Sequence, residues 1–215
     1  MYLAWDEQKL SDLSDSNIAS MYDKGYVFTR KGRGIMQQTR SLRIDLSKFE
    51  LSSENKRVLK RVDGVEITAE ALPMETYNWQ IGKLAKDFYA KFGQNTFSAN
   101  KIKELLTDAA KSNFNALLSY SGLGYAICYA GKDFLHYSYP FYSLGSDTPK
   151  DMGLGMMTMA VMLSKEQGDK YVYLGSASRP TDTYKLQFDG LEWFDGKVWK
   201  SDYGELKKIL KNESA

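Results

Sequence analysis

Four groups of residues in this 215-residue chain have types and spacings that can do chemistry. The first is Lys150 followed by Gly153, Leu154 and Gly155 at the head of an apolar run. If a helix starts there, its first amides lack partners and its dipole end is positive, so a phosphate could rest on them. The glycines would let that phosphate approach the backbone, and Lys150 would add charge. The plainer reading is a glycine-rich helix start with no ligand. The second group, Tyr139, Phe141, Tyr142, Asp147 and Asp151, lies just before the turn and would flank whatever binds there. Sheet packing plus a polar loop explains it as well. The third group is basic: Arg30, Lys31 and Arg33, then Arg40 and Arg43, then Lys56, Arg57, Lys60 and Arg61. It can track a phosphate backbone or be a solvated face. The fourth is the single Cys128 with the single His136, on neighbouring strands of one hairpin. A three-residue turn would set them opposite one another on one face, as a nucleophile pair requires, and a two-residue turn would not. Two ordinary sheet residues are the plainer reading.

Elements must hold these residues in place. Tyr26, Phe28 and Arg30 alternate with other residues and run into Lys31-Gly32-Arg33-Gly34, a strand and a tight turn. Leu42, Ile44 and Leu46 alternate with Arg43 and Asp45, which predicts a half-buried strand. Ser52-Ser53-Glu54-Asn55 opens a short helix with a serine oxygen as its cap. Ile81, Leu84, Ala85, Phe88, Tyr89 and Phe92 recur at helical spacing, ended by Gly93; Ile102, Leu105, Leu106 and Ala109 do so after Ser98. Residues 116–120, 124–130 and 134–142 read as an antiparallel meander with glycine turns. The glycine turn, an apolar helix to about Gly168 and a buried strand over 171–174 follow. Asp195-Gly196 marks a hairpin turn between Trp193 and Trp199, and 203–210 has helical spacing. The order predicts an α/β (α+β) fold, a mixed, mostly antiparallel sheet flanked by helices and ending in a parallel crossover. Residues 1–70 form a β-rich segment with a short basic helix and 71–215 a core, or the two run together as one domain.

Composition removes several classes. A net charge of +2, from 29 basic and 27 acidic side chains, is not that of a protein that coats itself with nucleic acid. One cysteine and one histidine leave no intrachain disulfide, cysteine-rich metal centre or multi-histidine site, so no cofactor and no metal are expected. The first nine residues have no apolar signal-peptide core, and the run from Met152 to Leu163 is too short for a membrane span. A soluble cytoplasmic protein is expected.

Two resemblances sharpen this. The spacing Lys150-x-x-Gly153-x-Gly155 resembles the R/Q-x-x-G-x-G/A turn with which GNAT acyltransferases hold their donor's pyrophosphate. The stretch Ser41-Leu42-Arg43-Ile44-Asp45-Leu46-Ser47-Lys48-Phe49, with Ser52 to Arg61 after it, resembles arginyl-tRNA–protein transferases and the bacterial aspartate/glutamate leucyltransferases. Asp23-Lys24-Gly25-Tyr26, Phe141-Tyr142, Gly153-Leu154-Gly155, Tyr171 to Gly175 and Tyr184-Lys185-Leu186-Gln187-Phe188 match further pieces of that family in the same order. The family's cysteine cluster is absent: the equivalent stretch reads Ile35-Met36-Gln37-Gln38-Thr39-Arg40.

The resemblance implies a GNAT-like fold and transfer of an amino acid from aminoacyl-tRNA to the α-amine of a protein N-terminus, as in N-degron pathways. It implies that Tyr142, Tyr173 and Lys185 serve the acyl site. Lys150, Gly153, Leu154 and Gly155 would hold the donor end, and Arg30, Arg33, Arg40, Arg43, Lys56, Arg57, Lys60 and Arg61 the tRNA. The partners would be an aminoacyl-tRNA and a protein or peptide N-terminus. An acyl-CoA N-acyltransferase of the same fold, or an inactive relative that only binds RNA or protein, is the alternative.

Overall fold

The computed structural model describes residues 3–93 and 97–212. In chain order the elements are β1 (Asp6–Lys9), α1 (Asp15–Asp23), β2 (Tyr26–Phe28), β3 (Ile35–Gln38), β4 (Ser41–Asp45), α2 (Ser53–Arg61) and β5 (Ile67–Ala71). Then come α3 (Trp79–Ala90), α4 (Ala99–Thr107), β6 (Ala116–Tyr120), β7 (Gly124–Ala130), β8 (Phe134–Tyr142), α5 (Met152–Glu166) and β9 (Tyr171–Ser176). A 3-10 segment (Pro180–Gln187), β10 (Leu191–Phe194), β11 (Trp199–Lys200) and α6 (Tyr203–Asn212) end the chain.

Eight strands form the main sheet in the order β11-β10-β4-β9-β8-β7-β6-β5, and a small sheet has the order β1-β3-β2. Among the described residues only β8 and β9 pair in parallel, across the α5 crossover. The predicted mixed, mostly antiparallel sheet flanked by helices is the observed architecture. β4 lies between β10 and β9 in the main sheet, and β5, which runs across residue 70, forms one of its edges.

Two cores cover the two faces of that sheet. One joins Met156, Ala160 and Val161 of α5 to Leu206 and Leu210 of α6, Val62 after α2, and Leu118, Cys128, Val172 and Trp193 of the strands. The other joins α1, α3, α4 and β2 to Leu117, Ile127, Phe134, Phe141 and Tyr173. The local signals act as expected. Ser52 accepts the Asn55 amide in a capping box, and Ser98 accepts the Lys101 amide. Ile81, Ala85 and Phe88 are buried on α3, whereas Phe92 and Ala109 fall past their helices' ends and are exposed.

β4 departs from its predicted half-buried pattern. It sits between β10 and β9 with a layer on each face, so even Arg43 is 8% exposed. The Arg43 guanidinium lies 4.1 Å from the Tyr171 and Trp199 ring centres and pairs with Glu192 (2.8 Å) and Asp23 (3.3 Å). A buried charge persists only with such partners.

Candidate active site

The site grows from an irregularity shared by two strands. β8 and β9 pair only over Phe134↔Tyr171, Leu135↔Val172 and His136↔Tyr173. Just beyond, each strand bulges. On β8 the register to β7 slips between Cys128↔Tyr137 and Ile127↔Tyr139, which makes Ser138 an extra residue. On β9 the register to β4 slips between Arg43↔Tyr173 and Ser41↔Ser176, and Gly175 there takes φ +72°. Glycine reaches that conformation without Cβ strain, and a bulge bends its strand. The strands part and leave a crevice of about 600 Å³. The Ser138 bulge also resets the alternation of β8. His136 and Tyr139 therefore face the same side, with Phe114 ring distances of 6.4 and 5.3 Å.

His136 lines the crevice and is 1% exposed. Its Nδ1 lies 2.9 Å from the Tyr22 hydroxyl, which also accepts the Phe28 amide at 3.4 Å. Where the hydroxyl gives its proton to Nδ1, Nε2 carries the ring proton. Burial, aided by the charge of Lys185, lowers the His136 pKa to about 3. The ring is therefore an uncharged N–H donor at neutral pH.

Lys185 enters from the 3-10 segment with its side chain 11% exposed. Its Nζ donates to the Ser176 carbonyl at 2.8 Å and lies 3.7 Å from the Asp182 carboxylate. Burial lowers its pKa, while Asp182 opposes that shift. Asp182 accepts the Ser178 and Arg179 amides at 2.9 Å each, which fixes the loop that presents the lysine. On the opposite wall the Arg30 amide donates to the Tyr139 hydroxyl at 3.0 Å, and the Arg30 guanidinium lies 4.2 Å from the Phe97 ring centre. A neutral imidazole donor and a desolvated amine in one crevice can stabilise a developing oxyanion and handle a proton.

The residues singled out from sequence are dispersed. Lys185 and Arg30 line the crevice. Tyr173 is buried against Tyr22, Phe134 and Trp199. Tyr142, at the end of β8, packs its ring 4.7 Å from Phe88, which does line the crevice. Arg33 ties the turn before β3 to the carbonyls of Ala109 (2.7 Å) and Ser112 (3.0 Å), and Arg40 donates to the Ala177 carbonyl. Lys56 and Lys60 are exposed on α2. Cys128 opposes Tyr137 while His136 opposes Tyr129, so the two face opposite cores. Three residues connect β7 and β8, but the last cross-strand pair is Ala130↔Leu135, which shifts the register by one from that of an opposed Cys128–His136 pair, and burial pushes the Cys128 thiol up to about 12.

The glycine turn is tightly packed. A Cβ on Gly153 would stand 2.9 Å from Tyr142 Cε1, and one on Gly155 2.5 Å from Val62 Cγ1. The Leu154 and Gly155 amides donate to the Asp151 carbonyl, and that of Met152 to Pro149. Asp151, at φ +65°, pairs with Arg57 (3.4 Å) and with Arg61, which ties α2 to the head of α5. Lys150 is exposed beside it. Gly155→Ala should therefore destabilise the fold by about 1–2 kcal/mol, although alanine favours helices by about 1 kcal/mol. Urea unfolding checks this, and adding Val62→Ala should restore most of the loss.

Sequence reasoning passed over Tyr22, Asp182 and Arg179, and weighed His136 only as a partner of Cys128. The signal for Asp182 was present in Arg179-Pro180-Thr181-Asp182, a proline at a helix start with an acid in its first turn. The Tyr22–His136 contact spans 114 residues and has no local signature.

No protein-family model matches this chain, and no curated protein matches it. Among solved structures it is similar to a lysylphosphatidylglycerol synthase, L-PGS, from Bacillus licheniformis: 15% identity, 75% of this chain, 52% of that one, TM-score 0.46. It is also similar to the C-terminal domain of a putative lysylphosphatidylglycerol synthetase from Agrobacterium fabrum: 17% identity, 80% and 55% coverage, TM-score 0.47. A third is a GCN5-related glucosamine N-acetyltransferase region of a fungal multi-domain β-N-acetylglucosaminidase: 11% identity, 90% and 23% coverage, TM-score 0.46. The chain spans about half the length of the first two. No helix among the described residues is long and apolar enough to cross a membrane.

Proposed function

We propose that this chain transfers an aminoacyl group from an aminoacyl-tRNA to the α-amine of a protein or peptide N-terminus. The observation that carries the reading is the crevice between β8 and β9, with His136 on one strand and Lys185 at its other wall. In the reaction the acceptor nitrogen attacks the ester carbonyl. A C–N bond forms, the carbonyl oxygen becomes an oxyanion, the ester C–O bond breaks, and the ribose hydroxyl leaves with the proton lost by the amine. His136 and protonated Lys185 are the donors for the oxyanion. An α-amine has a pKa of about 8, so a usable fraction is neutral at cellular pH and a strong base is not required. The family resemblance of residues 41–61 and 184–188 supports the tRNA donor and the N-terminal acceptor.

The packing of the glycine turn favours this donor over an acyl-CoA. Tyr142 and Val62 fill the spaces over Gly153 and Gly155, and the Asp151 carboxylate already meets Arg57 and Arg61 there. Lys150, Gly153, Leu154 and Gly155 remain, in this reading, the outer edge of the donor site, one ring away from the crevice through Tyr142. Transfer from labelled aminoacyl-tRNAs to peptides with acidic, basic or bulky N-termini tests the reading. Label in none of the peptides would overturn it.

A further inference from the structure

We propose that the rim of the crevice is a stacking platform for the unpaired 3′-terminal bases of an RNA. This deepens the function proposed above and rests on it for the identity of that RNA.

Two large aromatic side chains at the crevice are left in water, Phe92 at 51% and Tyr184 at 46% exposure. Three cations surround them. Arg179 lies 6.0 Å from the Phe92 ring centre, and Lys91 Nζ lies 3.6 Å from that of Phe88 and 5.0 Å from that of Phe92. Arg30 covers Phe97 at the inner edge. Among the described residues none of these three cations makes an ion pair, whereas Lys31 beside them is held by Glu7 at 2.5 Å.

Exposed rings and unpaired cations on one rim call for a ligand with flat faces and negative charge. Single-stranded nucleic acid has both. Its bases stack on aromatic rings and its phosphates meet the cations. A duplex is far too wide for a crevice of about 600 Å³, but an unpaired end can enter it. The terminal ester would then reach His136 and Lys185 deeper in the same crevice. Asp182 does not spoil this charge pattern, because its carboxylate is turned to the Ser178 and Arg179 amides and toward Lys185.

The test is fluorescence anisotropy with a 5′-labelled single-stranded tetraribonucleotide, run on the full chain. Wild type should bind it, and a blunt duplex should not compete. The double variant Phe92→Ala with Tyr184→Ala should bind at least about tenfold more weakly. Phe92→Tyr with Tyr184→Phe keeps both rings and should stay within about threefold of wild type. Both pairs alter exposed side chains, and circular dichroism should show an unchanged fold. The proposal is overturned if wild type does not bind the oligonucleotide, or if the alanine variant binds it as wild type does. It is also overturned if that variant raises KM for the acceptor peptide but not for aminoacyl-tRNA, since the rim would then hold protein. The two readings fail separately. Transfer with an unchanged KM for tRNA in the alanine variant sinks the platform alone. Oligonucleotide binding without transfer from any aminoacyl-tRNA sinks the reaction alone.

Discussion

Lys185→Met is expected to lower kcat for aminoacyl transfer by about 10²–10³-fold with little change in KM for either substrate, the loss typical when one oxyanion donor is removed. Methionine keeps the apolar stem and its volume, so the wall of the crevice persists. What goes is the Nζ that meets the Ser176 carbonyl at 2.8 Å and faces Asp182 at 3.7 Å. Removing the lysine alone leaves the part-buried Asp182 carboxylate without its cation and the Ser176 carbonyl without its donor, so the melting temperature should fall as well, and kcat is measured below the variant's own unfolding transition. A pH profile separates this role from a structural one. Burial lowers the Lys185 pKa, so its charge, and with it the rate, falls off on the alkaline side earlier than an ordinary lysine would allow. In Lys185→Met that limb should vanish along with most of the rate. Steady-state kinetics from pH 6 to 10 would show it. A variant with wild-type kcat would remove Lys185 from the chemistry.

The second large effect concerns acid. His136 has a folded-state pKa of about 3, against about 6.5 for the unfolded chain. Between those values the unfolded chain binds a proton that the folded one does not, so acid favours unfolding. The group costs nothing above about pH 6.5. Its destabilising effect grows as pH falls and is complete near pH 3, at roughly 1.4 kcal/mol per pH unit. About 2 kcal/mol should be lost between pH 7 and pH 5 from this residue. His136→Asn cannot titrate, yet its amide can still take the Tyr22 hydroxyl proton. Denaturant unfolding of both proteins at pH 7 and pH 5 should show the wild type losing about 2 kcal/mol more than the variant. Equal losses would mean that His136 is not held in its neutral form. The same substitution should also slow transfer, because the Nε2–H donor goes.

Much of the fold could be read from the chain because its signals are local. The meander β6–β8 carries alternation and glycine turns, α3 and α4 carry apolar stripes, and Ser52 and Ser98 cap their helices. The elements that went unread lack such signals. β1 is Asp-Glu-Gln-Lys, exposed at all four positions, and β5 exposes four of its five residues at the sheet edge. They are strands only because a partner supplies the ladder. α1 lies in a serine- and aspartate-rich stretch whose three buried residues, Ile18, Met21 and Tyr22, give too short a stripe to stand out.

The site was less legible for a related reason. Its framework is a pair of bulges, and no pattern in a single strand says that Ser138 is surplus or that Gly175 turns β9 aside. Lys185 was found through a resemblance, and Arg30 through its basic neighbourhood. His136 was set aside because the pairing considered for it was with Cys128, while its actual partner is Tyr22, more than a hundred residues away. The glycines stood out in sequence, and the packing against Tyr142 and Val62 accounts for them.

The most direct test of the central claim is a transfer assay with the purified chain and a panel of aminoacyl-tRNAs, each carrying a radiolabelled amino acid. Peptides with free and with acetylated N-termini serve as acceptors, and labelled acetyl-CoA is offered in parallel as a competing donor. The account predicts label in free-amine peptides from at least one aminoacyl-tRNA, none in acetylated peptides, none from acetyl-CoA, and loss of the signal in Lys185→Met. Transfer from acetyl-CoA alone, or from no donor at all, would contradict it.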